Sequence, residues 1–267
     1  MNVVSTLVLG ARDPEMDAIG RLALACHRNV LWAQKGGRPV AYDQMYTADW
    51  PTPAPGQLWV ECSPPTGKTG LAFVDHHNPG DPGFEKPPEE FWEASSLGQV
   101  WGRLCPDKTP PEALRLIAAT DHCPHAAYSG ECRDVDPGQV VAFAAEQIAL
   151  ANNSDIKVVL TEVYHFIHLI KRAKLRKVSG TDFYYHQTPL TSTHQWLVLR
   201  EAALWHGVGV IAHNVIGSEV WWKVAGHTTP KFIRAFVDGQ VCPEISMTRV
   251  YGDAVRGYAG GLINVAC

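Results

Sequence analysis

The stretch Leu71-Ala72-Phe73-Val74-Asp75-His76-His77-Asn78-Pro79-Gly80 constrains this chain more than any other. Four apolar residues in succession read as a buried strand of a parallel sheet, and Asn-Pro-Gly enforces a turn at its carboxyl end. An acid and two imidazoles therefore leave the sheet together. In open α/β sheets that edge is where ligands bind, so Asp75, His76 and His77 are expected in a crevice and not in the core. One carboxylate beside two imidazoles is a mixed oxygen and nitrogen donor set, suited to manganese, zinc, iron or cobalt better than to calcium. Taken alone, the same three residues would also serve as polar caps on a strand end.

With 267 residues, 46% of them apolar, the chain can bury a substantial core as one large domain or two of ordinary size. A formal net charge of -4 argues against a protein whose main work is coating nucleic acid, although it permits a local basic groove. Seven cysteines, an odd number without a paired C-x-x-C arrangement, read as reduced thiols of a cytoplasmic protein. The start lacks a basic leader and no 18-residue apolar run occurs, so neither export nor membrane insertion is expected.

Along the chain, apolar runs end repeatedly in acids. Val3 to Leu9 reads as a first strand that stops at Gly10. Asp13, Glu15 and Asp17 then crowd three carboxylates into five positions ahead of a helical Ile19–His27. Helix capping accounts for one such acid, whereas a cation accounts for all three. A short second strand is expected near Val40-Ala41-Tyr42, and Gln57-Leu58-Trp59-Val60 leads to Glu61. A helix is expected over Phe91–Leu104, carrying Ser95 and Ser96, and a proline-led helix over Pro110–Thr120 ends on Asp121-His122-Cys123-Pro124-His125, another acid in a turn.

Further helices are expected over Gln139–Ala151 and Asp155–Lys177. The second carries His165 and His168 at i and i+3, a spacing that serves ordinary packing or a metal, and ends in a basic run. From Ser179-Gly180, read as a hinge, a strand Asp182–His186 leads to a helix Thr193–His206 with a Ser192/Gln195 capping box. Strands at Val208–Ala212 and Trp221–Ala225 would deliver His213 and His227, and Lys223, Lys231, Arg234, Arg249 and Arg256 could dress an anion site. The expected fold class is α/β: a parallel-sheet amino-terminal domain with helices on both faces (1–150), a helical linker (151–178) and a smaller α/β domain (179–267). His213, His227, Arg234 and Arg256 are the candidate substrate contacts.

In order, Asp13-Pro14-Glu15-Met16-Asp17-Ala18, Val60-Glu61, Val74-Asp75-His76-His77, Ala94-Ser95-Ser96 and Ala119-Thr120-Asp121 resemble the motifs of the DHH phosphoesterase superfamily. That superfamily includes inorganic pyrophosphatases, single-strand exonucleases, oligoribonucleases and cyclic-dinucleotide phosphodiesterases, and the resemblance spans residues 3 to 125. It implies a DHH-like catalytic domain with a two-metal site. Ala11, Glu15 and Asp17 fall where the family has a histidine and two aspartates. Glu61 and Asp121 would bridge the metals, His76 would ligate one, His77 would contact the phosphoryl group, and Asp75 would orient the imidazoles. Gly226-His227 echoes the family's glycine-rich substrate loop.

The implied activity is metal-dependent hydrolysis of a small phosphorylated substrate, a nucleotide or short oligonucleotide. Mn2+ is the expected cofactor, as one or two ions, with Zn2+, Fe2+, Co2+ and Mg2+ as alternatives. Ala11 supplies no ligand, so either Asp13, His122 or His125 fills that place or the chain keeps one metal. The altered ligands leave two other readings open: a metal-dependent hydrolase of an amide or ester, and a non-catalytic nucleotide-binding protein.

Overall fold

A computed structural model of the protein describes residues 4–216, 219–241, 247–253 and 258–263. The chain forms an α/β fold in two compact units, Met1–Val135 and Asp136–Cys267, each with its own sheet.

The first unit runs β1 (Thr6–Leu9), α1 (Pro14–Ala25), β2 (Asn29–Trp32), a small hairpin of β3 (Gln34–Lys35) and β4 (Arg38–Pro39), β5 (Gln57–Val60) and β6 (Ala72–Val74). It continues through α2 (Phe91–Ala94), α3 (Ser96–Leu104), α4 (Glu112–His122) and α5 (Pro124–Ser129). Its four-stranded sheet has the order β2-β1-β5-β6 and is parallel throughout. The chain crosses through α1 to place β2 on one side of β1, then adds β5 and β6 on the other. Strand order therefore reverses between β1 and β5, and such a switch point opens a crevice at the carboxyl ends of the strands.

α1 lies on the Leu9 side of β1, close enough that a Cβ added to Gly20 would touch Leu9 Cδ1 at 3.4 Å. The opposite side, bearing Val8 and Trp59, is packed by Ala33, Val40, Met45 and Ala48 from the irregular segment after β2. Helices were expected on both faces; here a coil with a single 3-10 turn at Met45–Thr47 takes one of them. Val40 accordingly sits in this packing segment, and the second strand of the sheet is Asn29–Trp32. The helix expected over 91–104 breaks at Ser95, whose Oγ accepts the Gly98 N–H at 3.0 Å and caps α3.

The second unit comprises α6 (Pro137–Asn152), α7 (Ile156–Arg172), β7 (Arg176–Val178), β8 (Thr181–Tyr185), α8 (Thr193–Trp205), β9 (Gly209–Ile216), β10 (Glu219–Gly226), α9 (Pro230–Val237), β11 (Met247–Asp253) and β12 (Tyr258–Ile263). Its sheet order is β11-β12-β10-β9-β8-β7. Among the described residues β8 and β9 are parallel neighbours and the other strand pairings of this sheet are antiparallel. Phe232, Ile233 and Phe236 of α9 pack against Phe183, Ile211, Trp222 and Val224.

The boundary between the units thus precedes α6 and does not fall near residue 150. α6 and α7 pack on each other and on α8, so α7 is part of the second unit's core and not a linker. The basic run after Ile170 is split between the end of α7 and the edge strand β7. No described helix is long and apolar enough to cross a membrane.

Candidate metal centre

Three strand ends meet at the switch point. Gly10, directly after β1, donates its N–H to Val60 O at 3.0 Å, and Glu61, directly after β5, donates to Val74 O at 3.1 Å. A Cβ at position 10 would stand 2.7 Å from Glu61 O, so only glycine lets the two strand ends approach this closely. Glu61 itself has φ +50, the left-handed region that a non-glycine residue enters at a cost on the order of 1–3 kcal/mol. That conformation sits at the point where the chain turns out of β5, and the Glu61 side chain is buried.

Beyond β6, Asp75 is fully buried and saturated with donors. Its Oδ1 accepts from the His76 N–H (2.8 Å), the His77 N–H (3.1 Å) and His77 Nδ1 (3.1 Å). Its Oδ2 accepts from the Tyr46 hydroxyl (3.0 Å) and Lys68 Nζ (2.8 Å). Lys68 also pairs with Asp81, which in turn accepts the Asn78 N–H at 2.8 Å and closes the turn after the histidines. Burial alone would raise the Asp75 pKa, but the bonds and charges of His77 and Lys68 hold it well below the usual carboxylate range. A carboxylate so committed anchors the His76-His77 turn and has no capacity left to act as a base.

His76 lies between two acids. Its Nε2 is 3.1 Å from Asp121 Oδ2 and its Nδ1 is 3.4 Å from both Glu61 Oε1 and Ser96 Oγ. Gly83 makes room for it, since a Cβ there would come within 2.7 Å of His76 Cβ and 1.9 Å of Ala94 O. His77 stacks on His76 with ring centres 4.3 Å apart, and its Nδ1 is 3.6 Å from Glu61 Oε2. The ligand atoms of Glu61, His76, His77 and Asp121 all lie within 4.8 Å of one another, a group that could hold a metal ion.

The protonation pattern fits a site held together by opposite charges. Burial alone would lower the His76 imidazole, yet contact with Asp121 and the charge of Glu61 carry its pKa up to about 9. His77 is raised against its own burial by Glu61 and Asp75. Asp121 would be raised by burial but is brought to about 2 by His76 and His77. In contrast, Asp13 is raised to about 8 and Glu15 well above the carboxylate range, each by burial and by the charges of Asp121 and Glu61. Too much acid therefore converges here for one imidazolium pair to neutralise.

Buried oxygens left over make the same point. Glu61 Oε1 and Glu15 Oε2 have no aligned hydrogen-bond donor, Asp121 Oδ2 meets His76 Nε2 at 3.1 Å, and His122 Nδ1 finds no partner among the described residues. Groups of this kind are normally satisfied in native proteins, and a divalent cation would satisfy carboxylates and imidazoles together. The residues fit a divalent metal ion.

No protein-family model matches the chain, and no curated protein matches it.

Of the expected ligands, Glu61, His76 and Asp121 come together and Asp75 lies behind them. Glu15 borders the group, its Oε1 accepting the Leu97 N–H at 3.0 Å at the start of α3. Asp17 does not join: its Oδ1 pairs with Arg12 Nε at 2.9 Å on the exposed side of α1. Positions two apart on a helix point about 200° away from each other, so Glu15 and Asp17 cannot face one site. Asp13 caps α1 by accepting the Met16 N–H at 2.7 Å and feels the charges of both Asp121 and Glu61. His122 packs edge-on to His76 at 5.1 Å, while its Nε2 meets Lys86 O at 3.2 Å.

Among the described residues, His165 and His168 are exposed on α7 and belong to no metal-competent group. His213 stacks on Trp222 within β9 and β10, His227 and Arg234 are exposed in the second unit, and Arg256 lies outside the described residues. Lys68 and Tyr46, which fix Asp75, were not singled out from the sequence. Lys68 lies in a glycine-containing loop with no motif to mark it, and Tyr46 precedes Asp75 by 29 residues.

Proposed function

We propose that the protein is a metal-dependent phosphoesterase of the DHH type, acting on a small phosphorylated substrate such as a nucleotide or short oligonucleotide, with Mn2+ as its metal. The observation that carries the reading is the convergence of Glu61, His76, His77 and Asp121 at the switch point of a parallel sheet, with buried carboxylate oxygens lacking donors. A divalent cation held there would supply Lewis acidity toward a phosphoryl oxygen and toward the attacking water. The chain's own residues define what remains.

Asp75 accepts from His77 Nδ1, so that nitrogen carries the proton and the ring is held in one orientation. His76, flanked by Glu61 and Asp121, is the imidazole committed to the ion. Glu15, pushed toward its neutral form, can give up a proton when positive charge arrives and become a further ligand. The cytoplasm suggested by the cysteine pattern belongs to the same proposal.

A second reading follows from one observation. With Asp17 turned toward Arg12 and alanine at position 11, the group reaches one cation through two histidines and two acids, a set that also serves amide or ester hydrolysis. The test is a screen of purified protein with added Mn2+ against phosphodiesters, phosphomonoesters, pyrophosphate and amides. Hydrolysis of a phosphorus ester is expected. Turnover of amides alone would favour the second reading, and metal-free protein that binds nucleotide without cleaving it would defeat both.

A further inference from the structure

The five cysteines among the described residues are all thiols, and four of them stand in two close pairs. Cys123 Sγ lies 3.0 Å from Cys132 Sγ, and Cys26 Sγ lies 3.5 Å from Cys105 Sγ. Cys62 stands apart, donating to Val8 O. The closer pair is placed where it matters. Cys123 is the junction of α4 and α5, two residues beyond Asp121, and its N–H donates to Ala119 O at 3.1 Å to close α4.

Local structure builds this encounter. α5 ends at Gly130 in the left-handed conformation, φ 78, and the Glu131 N–H returns to Ala126 O at 2.9 Å. That reversal folds the chain back so that buried Cys132 meets half-buried Cys123. Two thiols separated by nine positions in sequence are thus held about 1 Å further apart than a disulfide, whose bond is about 2.05 Å.

We infer that Cys123 and Cys132 are a redox-sensitive dithiol that closes to a disulfide under a hydroperoxide and thereby weakens cation binding at the adjacent Asp121; the second part rests on the metal-site reading above. One sulfur attacks an oxygen of the hydroperoxide, the O–O bond breaks to give a sulfenic acid, and the other oxygen leaves as an alcohol or, from hydrogen peroxide, as water. The other thiol then attacks that sulfur, the S–S bond forms and a water leaves. Two thiols are oxidised and one peroxide is reduced. Drawing the sulfurs together pulls on the last turn of α4, which carries Asp121.

The experiment treats the full chain with graded hydrogen peroxide, maps disulfides by peptide mass and titrates Mn2+ into reduced and oxidised protein. A Cys123–Cys132 cross-link should appear before any Cys26–Cys105 cross-link. Mn2+ affinity should fall by about tenfold, the scale on which changes around a metal ligand act, and return with dithiothreitol. Cys132→Ser and Cys132→Ala should each bind Mn2+ as the reduced protein does and lose the peroxide response. Absence of the cross-link, or a cross-link that leaves Mn2+ affinity unchanged, overturns the inference. Reduced protein that binds no Mn2+ overturns the metal reading instead, and the mass data judge the dithiol independently of it.

Discussion

His76 and His77 follow a strand end in the first unit and His213 lies in a strand of the second, and of these three the first two belong to a metal-competent group with acids. The parallel sheet of the first unit points every carboxyl end to one edge, so Glu61 after β5 and Asp75-His76-His77 after β6 arrive side by side. In the second unit His213 lies within a ladder, opposite Trp222 on an antiparallel neighbour, and its ring stacks on that indole at 5.2 Å. Burial lowers its pKa, the reverse of His76. A strand end leaving a parallel sheet brings His76 and His77 to the edge where the other strand ends deliver Glu61, whereas a position inside an antiparallel ladder sets His213 against an indole.

The comparison breaks most sharply if metal binding follows the wrong histidine. His76→Ala and Asp121→Ala should each lower Mn2+ affinity by more than about 100-fold, beyond the range produced by perturbing a ligand's neighbours. His213→Ala should retain the metal. Metal analysis of the purified variants, with circular dichroism to confirm folding, reads the outcome; loss of metal from the His213 variant alone would reverse the assignment.

A pH series sharpens the same contrast. In metal-free protein His76 has its pKa raised to about 9 from the ordinary 6.5, so the folded state binds the proton more tightly than the unfolded chain does. The stabilisation is fully present below pH 6.5 and is lost as pH rises through 9. Mn2+ competes with that proton, so its affinity should rise over the same interval. Thermal denaturation of metal-free protein from pH 6 to 9.5, beside Mn2+ titrations at each pH, measures both. A melting temperature that climbs with pH in the metal-free protein would show that His76 does not hold its proton between Glu61 and Asp121.

A smaller effect concerns what holds the edge in place. Lys68→Met leaves Asp75 buried beside Tyr46 and His77 without its cation, and breaking a buried pair of this kind costs about 3 kcal/mol. Because Asp75 fixes His77, Mn2+ affinity should fall as well, and Lys68→Arg should recover part of it. Chemical denaturation of both variants gives the stability change; a Lys68→Met protein as stable as the parent would remove Lys68 from the site's support.

Much of the candidate metal site was legible because each part has a local signature. Apolar runs that end in Glu61, in Asp75-His76-His77 and, on a helix, in Asp121 mark strand and helix ends without reference to the rest of the chain. β2 was missed because Asn29–Trp32 follows within four residues of the end of α1, and helical spacing read through His27 hides so short a strand. The unit boundary was missed for a tertiary reason: nothing within 137–172 reveals that α6 and α7 find their partner in α8. Lys68 and Tyr46 carry no motif, and only the packing around Asp75 gives them a role.

The acids at the start of α1 are the case in which elementary geometry outranks the motif. Asp13, Glu15 and Asp17 look equivalent in sequence, but the first is a cap, the second faces Leu97 and the third pairs with exposed Arg12. An exposed pair of that kind contributes less than about 1 kcal/mol. Asp17→Asn should therefore leave Mn2+ affinity within about twofold and stability within about 0.5 kcal/mol, the range of ordinary surface changes, whereas Glu15→Gln, at a buried position beside Asp121, should disturb metal binding. Titrating Mn2+ into the two variants side by side decides the matter. If Asp17→Asn proves the more damaging, α1 must turn its other face to the ion, and the motif would have been the better guide than helix geometry.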